Sequence, residues 1–249
     1  MSRASARGLG LRRTTPPDDI AARVIYRDAL MLVIDKPAGI AVHKGRGDGP
    51  NLESQFHLLQ FGLPRSPALA HRLDRETSGC LALGRHRKAL ARLNQLFRNS
   101  RVEKTYLAIT TGAPPQAAGA ITAPLGPASA DPRNWRMKVS ADGATAETRF
   151  RVLQQSHDHA LCEWQPLTGR THQIRVHAAH LGCPILGDTV YGNAMPSAFA
   201  HRAMLHALRL AVPLYPKRAA VVATAPLPAD FIAALQHCGL AVPDVENLP

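Results

Sequence analysis

Between Ala146 and Val152 the chain alternates strictly: Ala146, Thr148, Phe150 and Val152 fall on one side, Glu147, Arg149 and Arg151 on the other. A period of two over seven residues is met by a half-solvated β-strand and by no helix. Other segments have strand character too. Leu30-Met31-Leu32-Val33-Ile34 is a short apolar run of buried-strand type, stopped at Asp35-Lys36-Pro37-Ala38-Gly39, where Pro and Gly force a turn. Strands are also predicted for Thr105 to Thr110, Ala160 to Gln165, 205–212 and 219–224. Helical spacing is read in two places. Leu90, Leu93, Leu96 and Phe97 recur at three and four within about 86–99; Ile174, Ala178 and Leu181 share a face of Gln173 to Leu181, which Gly182 and Pro184 stop. The stretch 113–133, rich in Pro, Ala and Gly, reads as a long ordered excursion. Strands in runs with irregularly placed helices predict an α+β fold: a central, mostly antiparallel mixed sheet with flanking helices and a cleft.

The 249 residues, 45% hydrophobic, suffice for one large domain, expected over 21–249. The first 20 residues hold Arg3, Arg7, Arg12 and Arg13 but no apolar run, and read as a disordered basic leader. A mitochondrial-type presequence is the competing reading; Gly8, Gly10, Pro16 and Pro17 oppose the amphipathic helix it would need. No run reaches the roughly 18 apolar residues of a membrane helix, so a soluble cytoplasmic protein without membrane contact is expected. Cys80, Cys162, Cys183 and Cys238 lie far apart without a C-x-x-C pair, which predicts reduced, buried thiols. His172, His177 and His180 lack the H-E-x-x-H arrangement and sit among arginines; no metal is expected. Thirty Lys and Arg against 18 Asp and Glu leave a net charge of +12. Such an excess suits a polyanionic partner, because each neutralised phosphate releases condensed counterions.

The segment His71-Arg72-Leu73-Asp74-Arg75-Glu76-Thr77-Ser78-Gly79 is chemically odd: an acid between two arginines, then two small hydroxyl residues and a glycine. Taken alone it is a surface turn entering a strand, with Asp74 salt-bridged to Arg72 or Arg75. Three further segments follow in order: Asp35 to Gly39, Lys104-Thr105-Tyr106-Leu107-Ala108, and Thr168-Gly169-Arg170-Thr171-His172-Gln173-Ile174-Arg175-Val176-His177. Pro184 to Asp188 and Leu205-His206-Ala207 complete the set. In these motifs, spread over roughly residues 24–232, the chain resembles the RluA-type pseudouridine synthases.

The resemblance implies isomerisation of uridine to pseudouridine in structured RNA, a tRNA or rRNA stem-loop, without cofactor. The bond from uracil N1 to the ribose breaks, the base turns, and C5 takes its place. Asp74 matches the family's catalytic aspartate; the motif admits covalent attack on carbon and removal of a ribose proton alike. Arg175 matches the arginine that pairs with it, and Tyr106 the tyrosine beside the target base, where a ring can stack on an everted uracil. Arg72 matches the arginine credited with filling the space the base vacates. His71 would brace the loop, and Arg170 would contact RNA. From the residues themselves, the basic face of the first helix (Arg87, Lys88, Arg92, Arg98) and Arg133-Asn134-Trp135-Arg136-Met137-Lys138 are candidates for RNA backbone contact. About 20 residues precede Val24, too few for the N-terminal RNA-binding domain many relatives carry; recognition is expected to rest on the catalytic domain of a monomer. Two rivals come from other classes. An RNA chaperone would give no reason for aspartate, tyrosine and arginine together; a nucleobase hydrolase would need an activated water.

Overall fold

A computed structural model describes residues 19–44, 50–131, 134–192 and 199–248; residues 1–18 of the basic leader and Arg133 lie outside the described residues. In chain order the elements are β1 (Val24–Arg27), β2 (Met31–Lys36), β3 (Ala68–Leu69), β4 (Ser78–Gly84), α1 (Arg87–Arg98), β5 (Glu103–Thr111), β6 (Ala118–Ile121), β7 (Leu125–Pro127), β8 (Met137–Val139), β9 (Thr148–Gln155), β10 (His159–Pro166), α2 (Gln173–His180), β11 (Leu205–Val212), β12 (Val221–Thr224) and α3 (Ala229–His237). Ten strands make one sheet in the order β1-β2-β4-β11-β5-β10-β9-β6, with β3 added to β4 and β12 to β11. Every pairing in it is antiparallel except β11 with β4. The expected α+β class and mostly antiparallel mixed sheet are what the structure has.

The strand period explains how so apolar a sheet is covered. On β2 and β4, Met31, Val33, Cys80 and Ala82 pack with Leu93 and Leu96 of α1. The intervening Leu32, Ile34, Leu81 and Leu83 pack with Ile40, Leu52, Phe56 and Leu59. Both faces are thus buried, which is why these strands are continuous apolar runs rather than alternating ones. At the other end, Leu107, Ile109 and Leu161 meet Phe231, Ala234 and Leu235 of α3; Ala108, Cys162 and Trp164 meet Ile174 and Ala178 of α2. All four cysteines are free and buried. The 113–133 stretch is more regular than its composition suggests: Ala118–Ile121 pairs with β9 at the sheet edge, and Leu125–Pro127 forms a hairpin with β8. Their hydrogen bonds go to partners some thirty and ten residues distant, which local composition does not encode.

One glycine is dictated by packing and another by its backbone angle alone. Gly79 sits at φ +107 opposite Ala207 in the one parallel pairing, and a Cβ there would overlap the Ala207 carbonyl oxygen. Gly182 closes α2 at φ +77, its N–H on Ala179 O and the Cys183 N–H on Ala178 O, with open space where a Cβ would go. Gly79→Ala should therefore destabilise the fold by about 3 kcal/mol, Gly182→Ala by about 1 kcal/mol. Denaturant midpoints of the two variants check this; equal losses would show that the parallel pairing does not enforce the glycine.

Candidate active site

The segment 71–77 joins β3 to β4, and its backbone is fixed from behind by buried cations. Lys36, fully buried at the end of β2, donates from Nζ to Pro37 O at 2.8 Å and Arg75 O at 3.1 Å. Gly39 N–H adds a bond to the same Arg75 carbonyl at 2.8 Å. Burial, then the charge of Arg202, brings the Lys36 ammonium down to about 7, against the pull of Asp74 and Asp35. Arg202 donates to Glu76 O at 3.1 Å and is itself gripped at both carboxylate oxygens of Asp230, at 2.6 and 2.9 Å. The D-K-P-A-G and H-R-L-D motifs, distant in sequence, thus form one rigid corner. His71 braces it as expected: Nε2 accepts the Ala82 N–H at 3.0 Å and the ring stacks on Phe97 at 4.4 Å. Burial keeps that imidazole neutral, its pKa down at about 3.

Asp74 leaves this corner and enters a cleft of about 460 Å³ also lined by Tyr106 and Arg175. The volume lies within the roughly 300–1,000 Å³ typical of small-molecule sites. Tyr106 comes from β5. Burial, and then the Asp74 charge, push its phenol well above the ordinary value, so it stays protonated. Lys104, two residues earlier, donates to Thr168 O at 3.0 Å, tying β5 to the loop before α2; burial lowers its pKa to about 8. Gln173 holds that loop from the other side, donating to Glu147 O and Thr148 Oγ1 and accepting from Thr168 Oγ1 and the Arg170 N–H.

Arg175 is buried, not the solvent-facing helix arginine that spacing alone allows. Its Nη1 lies 3.7 Å from Asp74 Oδ2, but its direct partner is Asp188: Nε to Oδ2 at 2.7 Å and Nη2 to Oδ1 at 2.8 Å. Asp188 also accepts the N–H groups of Val190 and Tyr191. Burial works against the Asp188 carboxylate; the Arg175 hydrogen bonds and charge outweigh it and hold the carboxyl below its usual range. Asp188 follows Gly187, at φ +76, where a Cβ would overlap the Arg202 carbonyl oxygen. The P-I-L-G-D segment was visible in the sequence, yet nothing local there marks its acid as the anchor of Arg175. The alternative pairing of Asp74 with Arg72 or Arg75 is not what forms: the bases nearest its carboxylate are Arg175 and His172, whose Nε2 lies 3.8 Å from Oδ1.

Of the expected RNA-contacting residues, His71, Arg72 and Arg170 line the cleft, with Arg98 at the end of α1. Arg87, Lys88 and Arg92 are exposed on α1 away from that lining, and Arg136 is exposed beside the half-exposed Trp135. Trp135 meets the His172 ring edge-on at 5.1 Å, a neighbour the sequence could not supply. Among the described residues no three potential ligands group as a metal site, and no helix is long and apolar enough to cross a membrane. His177 turns into the core toward Thr148 and Ala123 instead.

Known proteins match this arrangement. The family model for RNA pseudouridylate synthase matches residues 30–180. An uncharacterized RNA pseudouridine synthase of Zymomonas mobilis is 41% identical over 213 residues, covering 85% of this chain and 96% of that one. Ribosomal large subunit pseudouridine synthase C of Yersinia pestis is 37% identical; the match covers 77% of this chain but 61% of that longer protein. Among solved structures, human RNA pseudouridylate synthase domain containing 4 superposes with a TM-score of 0.75 at 27% identity, covering 90% of this chain and 96% of that one. With the fold, the ordered motifs and these likenesses in agreement, the chain belongs to the RluA-type family of RNA pseudouridine synthases.

Proposed function

We propose that the protein converts specific uridines to pseudouridine in an rRNA or tRNA stem-loop, with Asp74 as the essential carboxylate, acting as a monomer in the cytoplasm through a single catalytic domain over 21–249. The observation that carries this reading is the convergence of Asp74, Tyr106 and Arg175 on one cleft from three separate parts of the chain. The Arg175 guanidinium 3.7 Å from Asp74 Oδ2 orients the carboxylate that nucleophilic attack or proton removal would use. The protonated Tyr106 phenol gives the detached base a surface to rest on while it turns. Arg72, Arg98 and Arg170 around the cleft suit the phosphates flanking an everted nucleotide. The relatives named for the large ribosomal subunit favour rRNA as the first substrate to try.

The reaction moves the ribose C1′ from N1 to C5; N1 gains a proton and the C5 hydrogen leaves to solvent. RNA tritiated at uracil C5 should accordingly lose tritium to water without releasing uracil. Free uracil would indicate a hydrolase, and neither product an RNA chaperone. The exposed α1 face has its own test. Replacing Arg87 and Arg92 together by Ala should weaken RNA binding and reduce the slope of log K against log salt by roughly 1.5, from about 0.7–0.9 per phosphate contact. An unchanged slope would assign that face to solvent.

A further inference from the structure

His172 stands at the residue before α2 with φ +54, a left-handed backbone that crowds the Cβ of any L-residue. Such strain persists where surrounding contacts over-determine it. The ring is indeed held on several sides. Nδ1 lies 2.6 Å from the Tyr191 hydroxyl, whose oxygen accepts the Met137 backbone N–H at 2.9 Å. Trp135 meets the ring edge-on at 5.1 Å, and the Tyr191 ring lies 5.5 Å away at 66°. The remaining nitrogen looks into the cleft, 3.8 Å from Asp74 Oδ1, while Arg175 Nη1 lies 3.7 Å from Oδ2 of the same carboxylate.

Donor and acceptor chemistry then sets the tautomer. The Met137 N–H only donates, so the phenol oxygen accepts there. Directing the phenol's one proton at His172 Nδ1, 2.6 Å away, gives that oxygen one donor and one acceptor among the described residues. The ring's own hydrogen is consequently on Nε2, aimed at Asp74. Burial lowers the imidazole pKa, and Arg175 and Arg72 act the same way against Asp74 and Asp188, so the ring is neutral at pH 7.

The geometry points to His172 as a positioning residue for the reacting carboxylate: a neutral N–H donor, oriented by Tyr191 and Met137, that steadies Asp74 Oδ1 while Arg175 steadies Oδ2. The assignment rests on reading Asp74 as the essential carboxylate. A neutral N–H donor suits the task, because it orients the oxygen by hydrogen-bond direction. At 3.8 Å the two atoms are not hydrogen-bonded, and the role requires the gap to close when a nucleotide fills the cleft. Met137 opens β8, so the β7–β8 hairpin is joined to the carboxylate through this relay.

The test uses three substitutions, with kcat and KM read from tritium release and folding followed by thermal melting. His172→Asn tolerates the left-handed backbone well but is too short to reach Asp74; His172→Gln fits that backbone less well yet places an amide N–H near the Nε2 position. A purely structural role ranks Asn above Gln. The positioning role ranks Gln above Asn: kcat should fall about 100-fold in His172→Asn and about tenfold in His172→Gln, with KM within about twofold. Tyr191→Phe keeps the ring packing, and its kcat should fall about tenfold. Added to His172→Asn it should have no further effect, because it acts through the imidazole. Asn equal to or faster than Gln, an unchanged kcat in Tyr191→Phe, or full additivity in the double variant would overturn the assignment. Asp74→Asn run alongside separates the two levels: if it turns over like wild type, the reading of Asp74 has failed; if it is inactive while the His172 variants turn over like wild type, only the role of His172 has.

Discussion

Replacing Asp188 by Ala should cost about 3–5 kcal/mol of stability and roughly 100-fold in turnover. Asp188 is 1% exposed and Arg175 5% by side chain, so removing the carboxylate strands a buried guanidinium whose two shortest bonds, at 2.7 and 2.8 Å, are lost. The nearest remaining anion is Asp74, with its Oδ2 3.7 Å from Nη1. A guanidinium that swings toward it regains part of the lost energy and draws the carboxylate from its place in the cleft. Stability and activity should therefore fall together, although Asp188 touches no substrate in the proposed reaction. The paired substitution Asp188→Ala with Arg175→Met should recover stability over Asp188→Ala alone, because no buried charge is then left without a partner. The pH dependence has a definite sign. The folded-state Asp188 carboxyl is held below its ordinary 3.8, so its contribution is complete above that value and disappears as pH falls through the folded-state pKa. The acid limb of stability should be shallower in Asp188→Ala. Urea midpoints and tritium-release rates of the wild type and the two variants measure all of this; a fully stable Asp188→Ala would mean that Arg175 does not need its anchor.

Asp74→Asn is the second large effect, of the opposite kind. The amide has the shape of the carboxylate, the side chain is 20% exposed, and Arg175 keeps Asp188, so the melting temperature should barely move. RNA affinity should stay within about twofold, since the flanking basic residues are intact. Turnover should drop by about 10³-fold or more, because an amide oxygen is neither a useful base nor a nucleophile. Loss in kcat with an equal loss in kcat/KM is the pattern of an interaction made in the transition state.

Much of the fold was legible because its signals are local. The alternation over 146–152 runs into β9, which begins at Thr148 and continues to Gln155, and the leucine spacing near 90 is α1 with the bounds expected to within about a residue. The 30–34 run is β2, which continues to Lys36 because that side chain spends its charge on carbonyls of the next motif instead of on water. What escaped the sequence is long-range. Helix α2 is buried at six of its eight positions, so no polar face exists to say which way Arg175 points. Its anchor lies thirteen residues away across a turn set by Gly187. The motifs marked Asp74, Tyr106 and Arg175 by resemblance; that Asp188, Lys36, His172 and Tyr191 surround them depends on how the loops close in three dimensions.

Tritium release from RNA labelled at uracil C5, with bound RNA and free uracil measured in the same samples, tests the central claim most directly. Wild type should release one tritium for each uridine converted and no uracil, while Asp74→Asn binds the RNA and releases neither. Tritium release by Asp74→Asn at the wild-type rate, or uracil liberated by the wild type, would contradict the account.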